Sequence, residues 1–164
     1  MRVTFVRSDG PDRMYVQRAD GTESSWTFPS YGEGLPHDLV HLVVERQLGL
    51  RSGFWGLVEG GIDFDRINEA ANRKGGKLAD KYADLGDLDE LMLAEMVSNL
   101  PWGREWFEDA LETNAAFNDM PDREQLDAIA AELDEWRGRW RALPNKGALE
   151  MTWSGEASAR AAPG

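Results

Sequence analysis

The sequence contains no cysteine among its 164 residues. This absence excludes a disulfide framework, a thiolate metal site and a cysteine nucleophile. The sequence also lacks a Gly-x-Ser-x-Gly motif, a phosphate-binding loop and a dinucleotide-binding glycine pattern, so no common nucleophile or nucleotide motif marks a site. Any metal ion must therefore bind through nitrogen and oxygen atoms.

Long hydrophobic runs are also missing. No segment reaches the roughly 18 apolar residues needed to cross a bilayer, and the N-terminal stretch MRVTFVRSDGPDR lacks the apolar run of a signal peptide. With 41% hydrophobic and 29% charged residues, the composition is that of one ordinary globular domain. We therefore expect a soluble, cytoplasmic protein.

Positive charge is scarce, and the negative charge is unevenly distributed. The 30 acidic residues outnumber the 18 basic ones and give a net charge of −12. Between positions 80 and 135, 17 acidic residues stand against three basic ones. Such a surface repels nucleic-acid phosphates and anionic membranes, so we expect neither nucleic acid nor a membrane as a partner. A basic protein partner, or mimicry of the charge of DNA, stays open, although acidic helix faces also serve solubility alone.

The two ends of the chain show the two-residue alternation of β-strands. The first thirty residues contain three such segments, separated by the Asp-Gly pairs at 9–10 and 20–21, which favour tight turns. A fourth segment follows the turn-forming residues 145–147. We therefore predict an N-terminal antiparallel β-meander that the C-terminal strand joins. The apolar positions of the four segments are Met1, Val3, Phe5, Met14, Val16, Trp26, Phe28, Leu149, Met151 and Trp153.

The middle of the chain shows helical periodicity. About five helices are predicted, and with the sheet they make an α+β fold that forms a single domain over residues 1–153. Residues 154–164 have almost nothing apolar to bury, so we predict a disordered tail. Asp87 and Glu90 predict a capping box at the start of the third helix, whereas residues 52–61 are too rich in glycine to predict one. The predicted helices cover 36–49, 64–73, 87–99, a segment from Pro101 and a segment from Pro121 to Leu143.

Both histidines of the chain, His37 and His41, lie in the first predicted helix. Their four-residue spacing places both side chains on one helical face, about one turn apart. Asp38 and Glu45 fall on the same polar arc of about 100°, while apolar residues cover the rest of the circumference. Every potential metal ligand on this helix therefore points the same way.

Two histidines at this spacing can supply two nitrogen ligands to a divalent cation, for which zinc is the first choice. A third ligand must come from another element, because Glu45 lies roughly 12 Å along the helix axis from the first histidine. We predict Glu59 as this ligand, with Asp63 or Asp65 as alternatives. Asp38 and Glu45 are the candidate catalytic acids, which would hold a metal-bound water or orient an imidazole.

Residues 37–41, HDLVH, match two known patterns. They resemble the His-Glu-x-x-His helix of zinc metalloproteases, with Asp38 in place of the glutamate and its carboxylate one methylene shorter. They also resemble the His-Asp-x-x-His motif of the coenzyme Q biosynthesis protein family, helical proteins in which the motif and a later glutamate are proposed metal ligands. The position of that glutamate is Gly53 here. A resemblance that covers five of the 164 residues assigns the chain to neither family.

Two interpretations of the chain follow. In the first, it is a divalent-metal-binding protein or a metal-dependent enzyme, with a small-molecule substrate in a cleft near Trp55. In the second, the histidines form an ordinary structural face, and the chain is a noncatalytic module whose acidic helices, within residues 87–135, bind a basic protein. The direction of the two imidazole rings distinguishes these interpretations.

Overall fold

The two ends of the chain form one four-stranded antiparallel sheet. The structure is a computed structural model, and it describes residues 1–29, 32, 34–72, 80–114 and 120–154. The strands are β1 (Arg2–Val6), β2 (Asp12–Gln17), β3 (Glu23–Phe28) and β4 (Ala148–Thr152). Their order in the sheet is β3-β2-β1-β4. This order confirms the predicted meander and the C-terminal strand that joins it.

One face of the sheet is buried, as the alternation predicts. Val3 of β1 lies opposite Val16 of β2 and Met151 of β4, and all three side chains are buried. Phe5 lies opposite Met14, and both are fully buried. The strand register therefore aligns the apolar positions of three strands on one side, against which the helices pack.

Helices occupy the middle of the chain, which confirms the predicted α+β class. The described residues contain six α-helices, close to the five or so predicted. The additional one lies in the glycine-rich segment 52–61, where a helix of six residues forms between Gly53 and Gly60. The helices are α1 (His37–Leu48), α2 (Phe54–Glu59), α3 (Phe64–Ala71), α4 (Asp89–Ser98), α5 (Phe107–Asn114) and α6 (Arg123–Ala142), and a 3-10 helical stretch spans Asp80–Leu85.

Local side-chain chemistry sets several helix boundaries. Gly49 ends α1 in a left-handed conformation, with a φ of 68°, which glycine adopts without steric cost. Asp122 and Gln125 form a reciprocal capping box at the start of α6. In contrast, α5 begins at Phe107 rather than at Pro101, because turns occupy the intervening residues.

The predicted capping box at the start of α4 is wrong. Asp87 accepts a hydrogen bond from the main-chain N–H of Asp89 at 2.9 Å, but Glu90 does not reach back to it. Instead, the Glu90 carboxylate accepts hydrogen bonds from the main-chain N–H groups of Arg51 and Ser52. Glu90 therefore connects α4 to the loop that follows α1.

Helix α1 lies at the centre of the packing. Its side chains Leu39, Leu42, Val43 and Val44 are fully buried, and each such side chain stabilises the fold by roughly 1.5–3 kcal/mol. Helices α2, α4 and α6 all contact α1. Because neighbours surround this helix, its polar residues also face protein rather than open solvent.

Some predictions fall beyond the described part of the chain. The predicted tail, 154–164, lies outside it except for Ser154, and so does the last residue of the predicted helix 64–73. Within the described residues, no helix is both long and apolar enough to cross a lipid bilayer. The single domain and the cytoplasmic location stay predictions.

Candidate metal centre

The polar arc of α1 is packed against other parts of the protein. His41 is 1% exposed and Glu45 is 0% exposed, while His37 and Asp38 are half-buried. Helices α2 and α4 contact α1, and they supply the groups that meet this arc. The two histidines therefore do not form a solvated stripe, as they would on an ordinary exposed helix face.

A carboxylate from α4 joins the two histidines. The ring centroids of His37 and His41 are 4.8 Å apart, and Nε2 of His41 is 3.4 Å from Oε1 of Glu95. One ligand atom from each of these three side chains lies within 4.8 Å of the other two. Two imidazoles and one carboxylate thus converge on one place in the protein.

His37 brings a buried polar atom for which the described part of the chain offers no hydrogen-bond partner. Its Nε2 is buried and forms no hydrogen bond among the described residues. A buried polar atom without a hydrogen bond costs free energy, so nearly all such atoms in folded proteins have a partner. Among the described residues, this nitrogen is therefore a candidate ligand atom.

Glu45 holds His41 from the opposite side of its ring. Oε1 of Glu45 is 3.2 Å from Nδ1 of His41, and Oε2 accepts a hydrogen bond of 3.0 Å from the main-chain N–H of Trp55. The carboxylate fills the space beside Gly53, where an added Cβ would lie 2.5 Å from the Glu45 carboxyl carbon. Glu45 therefore connects the start of α2 to the histidine ring.

The two carboxylates keep His41 protonated when no metal is bound. Burial acts to lower its pKa, but the hydrogen bonds and negative charges of Glu45 and Glu95 raise it from 6.5 to about 9. Burial raises the pKa of Glu45, and the hydrogen bond and positive charge of His41 act against this rise. A metal ion would have to displace the proton on Nε2 of His41.

The pKa values of the other two members of the group, His37 and Glu95, are lowered, whereas that of His41 is raised. Burial, with the positive charge of His41, lowers the pKa of His37 below its usual range, so this imidazole is neutral near pH 7. Burial acts to raise the pKa of Glu95, but the hydrogen bond and charges of the histidines lower it overall. A neutral imidazole and an ionised carboxylate are the protonation states that bind metal ions.

Asp38 lies beside the same group but is held differently. Its Oδ2 accepts a hydrogen bond of 3.2 Å from Nε1 of Trp26 on β3, and its main-chain oxygen accepts one of 2.9 Å from Nε1 of Trp55. Burial raises the pKa of Asp38, although Trp26 and the two histidines act to lower it. Asp38 thus contributes a half-buried carboxylate that interacts electrostatically with both imidazoles.

The structure does not bring the predicted third ligand to the histidines. Oε2 of Glu59 lies 3.5 Å from the amino group of Met1, and Glu59 also accepts a long hydrogen bond of 3.4 Å from the main-chain N–H of Ala19. The alternatives do not join the group either, because Asp63 caps α3 by accepting from the main-chain N–H of Asp65. The carboxylate that lies with the two histidines is that of Glu95 and not that of Glu59.

Glu95 was missed because it lies far from the histidines in sequence. One signal could have pointed to it: it is the only charged residue in the stretch LMLAEMV, 91–97. Leu91, Ala94 and Val97 of this stretch are fully buried, so Glu95 is placed at the border of a core-facing surface. An acid within an apolar helical run is unusual enough to be considered as a ligand.

The arrangement suits a first-row divalent metal ion. Two imidazole nitrogens and one carboxylate oxygen are a ligand set that zinc and related ions accept, and three protein ligands leave a position for water or substrate.

Comparison of the chain with models of known protein families, with curated proteins and with solved structures found no match. The local chemistry of the group is therefore the basis for a functional assignment.

Proposed function

We propose that this chain is a divalent-metal-binding protein in which His37, His41 and Glu95 bind one ion, with zinc as the expected metal. The observation that carries this proposal is the convergence of the three ligand atoms within 4.8 Å of one another, together with the buried, unpartnered Nε2 of His37. Zinc bonds of about 2 Å require ligand atoms roughly 3–3.5 Å apart. Small rotations of the partly exposed His37 and Glu95 side chains would close this gap.

The contact between Glu45 and His41 supports the same proposal. A metal-bound histidine usually donates its other ring N–H to a carboxylate or carbonyl, which fixes the tautomer and makes the ligand nitrogen more basic. Glu45 accepts from Nδ1 of His41 and so directs Nε2 towards Glu95. Because both Glu45 oxygens already accept hydrogen bonds, we assign Glu45 to orientation of the ring and not to proton transfer.

Asp38 is the acid that we assign to proton transfer in a metal-dependent reaction. Its raised pKa, caused mainly by burial, brings it nearer to the range in which a carboxylate exchanges protons at neutral pH. A bound zinc ion would supply a water ligand that ionises near pH 7, and the Asp38 carboxylate would be the group that accepts its proton. The Trp26 hydrogen bond to Oδ2 would keep the carboxylate in position.

Isothermal titration calorimetry of chelator-treated protein tests metal binding directly. We expect one zinc ion per chain in the wild type and at least tenfold weaker binding in Glu95→Gln and in His37→Ala. Glu59→Gln is the matched control, since Glu59 lies outside the group, and it should bind zinc like the wild type. Elemental analysis of the protein purified without chelator, and the rise in melting temperature on addition of zinc, give independent readouts.

The outcomes separate the two candidate ligand sets. If Glu59→Gln abolishes zinc binding and Glu95→Gln leaves it intact, the third ligand is Glu59 and not Glu95. Absence of zinc binding in the folded wild type would overturn the proposal. In that event the basic protein partner that the acidic composition leaves open becomes the first hypothesis to test, by pull-down at low and high salt.

A further inference from the structure

A groove of about 380 Å³ runs along the outer edge of the sheet. Four consecutive residues of β3, 24–27, line one of its sides, and residues at the start of α3 line the other. Consecutive strand residues point to opposite faces of a sheet. A groove that touches all four of them therefore borders the edge of the strand, where its backbone N–H and C=O groups point.

Residues 24–27 of β3 have no strand partner on their outer edge among the described residues. The order β3-β2-β1-β4 makes β3 a terminal strand, and the backbone of 24–27 hydrogen bonds only to β2 in the described part of the chain. Exposed strand edges pair readily with another extended chain, and peptide-binding proteins use this mode of recognition.

The floor of the groove is aromatic and apolar. The rings of Trp26 and Phe64 stack with centroids 4.6 Å apart and planes at 17°, and both are half-buried. Val58 and Ile62 line the same groove. A volume of about 380 Å³ lies within the range of sites that bind ligands, and the stacked rings offer an apolar surface to alternate side chains of an extended peptide.

The charge of the groove favours a basic occupant. Asp63 and Asp65 line it and are exposed. Among the described lining residues the one basic side chain, Arg18, already donates to the main-chain oxygen of Val58 and to Thr22. The net charge of −12 on the whole chain adds a long-range attraction for positive ligands.

We propose that this groove binds an extended segment of a basic peptide, which adds a strand to the β3 edge and places its basic side chains near Asp63 and Asp65. Alternate residues of the segment would pack on Trp26 and Phe64. This proposal does not require a bound metal ion, so its test is carried out with a chelator present.

The test uses blocked peptides of about seven residues, which is long enough to pair along a typical strand of about five to six residues. We expect an alternating lysine–valine peptide to bind the full chain in calorimetry and to shift the amide NMR signals of 24–27. An alternating glutamate–valine peptide should bind at least tenfold more weakly. A strand that pairs at an edge uses the N–H groups of alternate residues, so N-methylation of one alternate set should abolish binding while N-methylation of the other set is tolerated.

Charge-removing variants provide the matched control. Asp63→Asn with Asp65→Asn should weaken lysine–valine binding about tenfold, and asparagine at 63 preserves the cap of α3. Glu105→Gln with Glu112→Gln removes the same charge from exposed positions on and before α5 and should leave the affinity within twofold. Equal weakening in both double variants, tolerance of both N-methylated sets, or dimerisation of the chain through 24–27 would each overturn the proposal.

Discussion

The carboxylate of Glu45 lies between two elements, with one oxygen 3.2 Å from Nδ1 of His41 and the other 3.0 Å from the main-chain nitrogen of Trp55. Helix α1 supplies both Glu45 and His41, and α2 supplies the N–H group. A fully buried carboxylate is unfavourable unless charge and hydrogen bonds compensate it. The proton on His41 and the main-chain N–H group at the start of α2 provide this compensation. The contacts that stabilise the buried Glu45 carboxylate therefore also fix the orientation of the His41 ring.

Glu45→Gln should weaken zinc binding by about 10- to 100-fold, because loss of the carboxylate partner makes the His41 nitrogen less basic. Glutamine has nearly the same size, so the fold should persist. Calorimetry with zinc measures the effect, and Glu135→Gln at an exposed position of α6 is the control. An unchanged affinity in a folded Glu45→Gln protein would contradict the role of Glu45.

Gly53→Ala should destabilise the protein by about 1–3 kcal/mol. The backbone of Gly53 is extended, with a φ of −74°, so any residue can adopt it and the effect is steric alone. The added Cβ would lie 2.5 Å from the carboxyl carbon of Glu45 and would displace a buried group. Gly60→Ala is the matched control, because its Cβ meets its nearest neighbour at 3.4 Å. Denaturant unfolding should separate the two variants, and equal stabilities would refute the steric explanation.

The stability of the metal-free protein should fall as the pH rises from 6.5 to 9. The pKa of His41 is raised from 6.5 to about 9 by its two carboxylate partners, against the effect of burial, so the folded state binds this proton more tightly than the unfolded state. The stabilisation is complete below 6.5 and is lost as the pH passes through 9, by about 3 kcal/mol in all.

Urea unfolding in the presence of a chelator, at several pH values, measures this slope. His41→Gln should flatten it, whereas His37→Gln should keep it, because His37 is already neutral in this range. An NMR titration of the two imidazoles in the folded wild type provides a direct check. A His41 pKa at or below 6.5 would contradict the prediction that His41 is protonated in the folded, metal-free protein.

Glu132→Ala should cost about 1–3 kcal/mol, because the Glu132 carboxylate is a shared acceptor between α1 and α6. It pairs with Arg46, accepts from Nε2 of Gln47 at 2.6 Å and accepts from Nε1 of Trp136 at 3.1 Å. Glu135→Ala on the exposed face of the same helix should change stability by less than about 0.5 kcal/mol. Thermal unfolding compares the two, and similar losses would show that the shared contacts contribute little.

Local patterns were sufficient to predict the sheet and most helices. Alternating apolar residues such as Val3 and Phe5 predict a strand with one buried face, and the strand register confirms it. The spacing of His37 and His41 likewise predicts that their side chains share a direction. These features depend on the geometry of single elements, which the order of residues determines.

The remaining features of the candidate centre depend on packing between elements. No local pattern relates His41 to Glu95, because the two meet only when α4 packs against α1. The role of Glu45 depends on the start of α2 at Gly53. No helix was predicted there, because the segment is rich in glycine. Sequence proximity favoured Glu59 as a ligand, but the fold places it beside Met1.

Zinc K-edge X-ray absorption of the zinc-loaded protein tests the proposed ligand set most directly. For the wild type we predict scattering from oxygen and from two imidazoles, with zinc–nitrogen distances of about 2 Å. The spectrum should be unchanged in Glu59→Gln, and it should show only one imidazole in His37→Ala. A spectrum without imidazole scattering, or one that His37→Ala together with His41→Ala leaves unaltered, would contradict the metal centre.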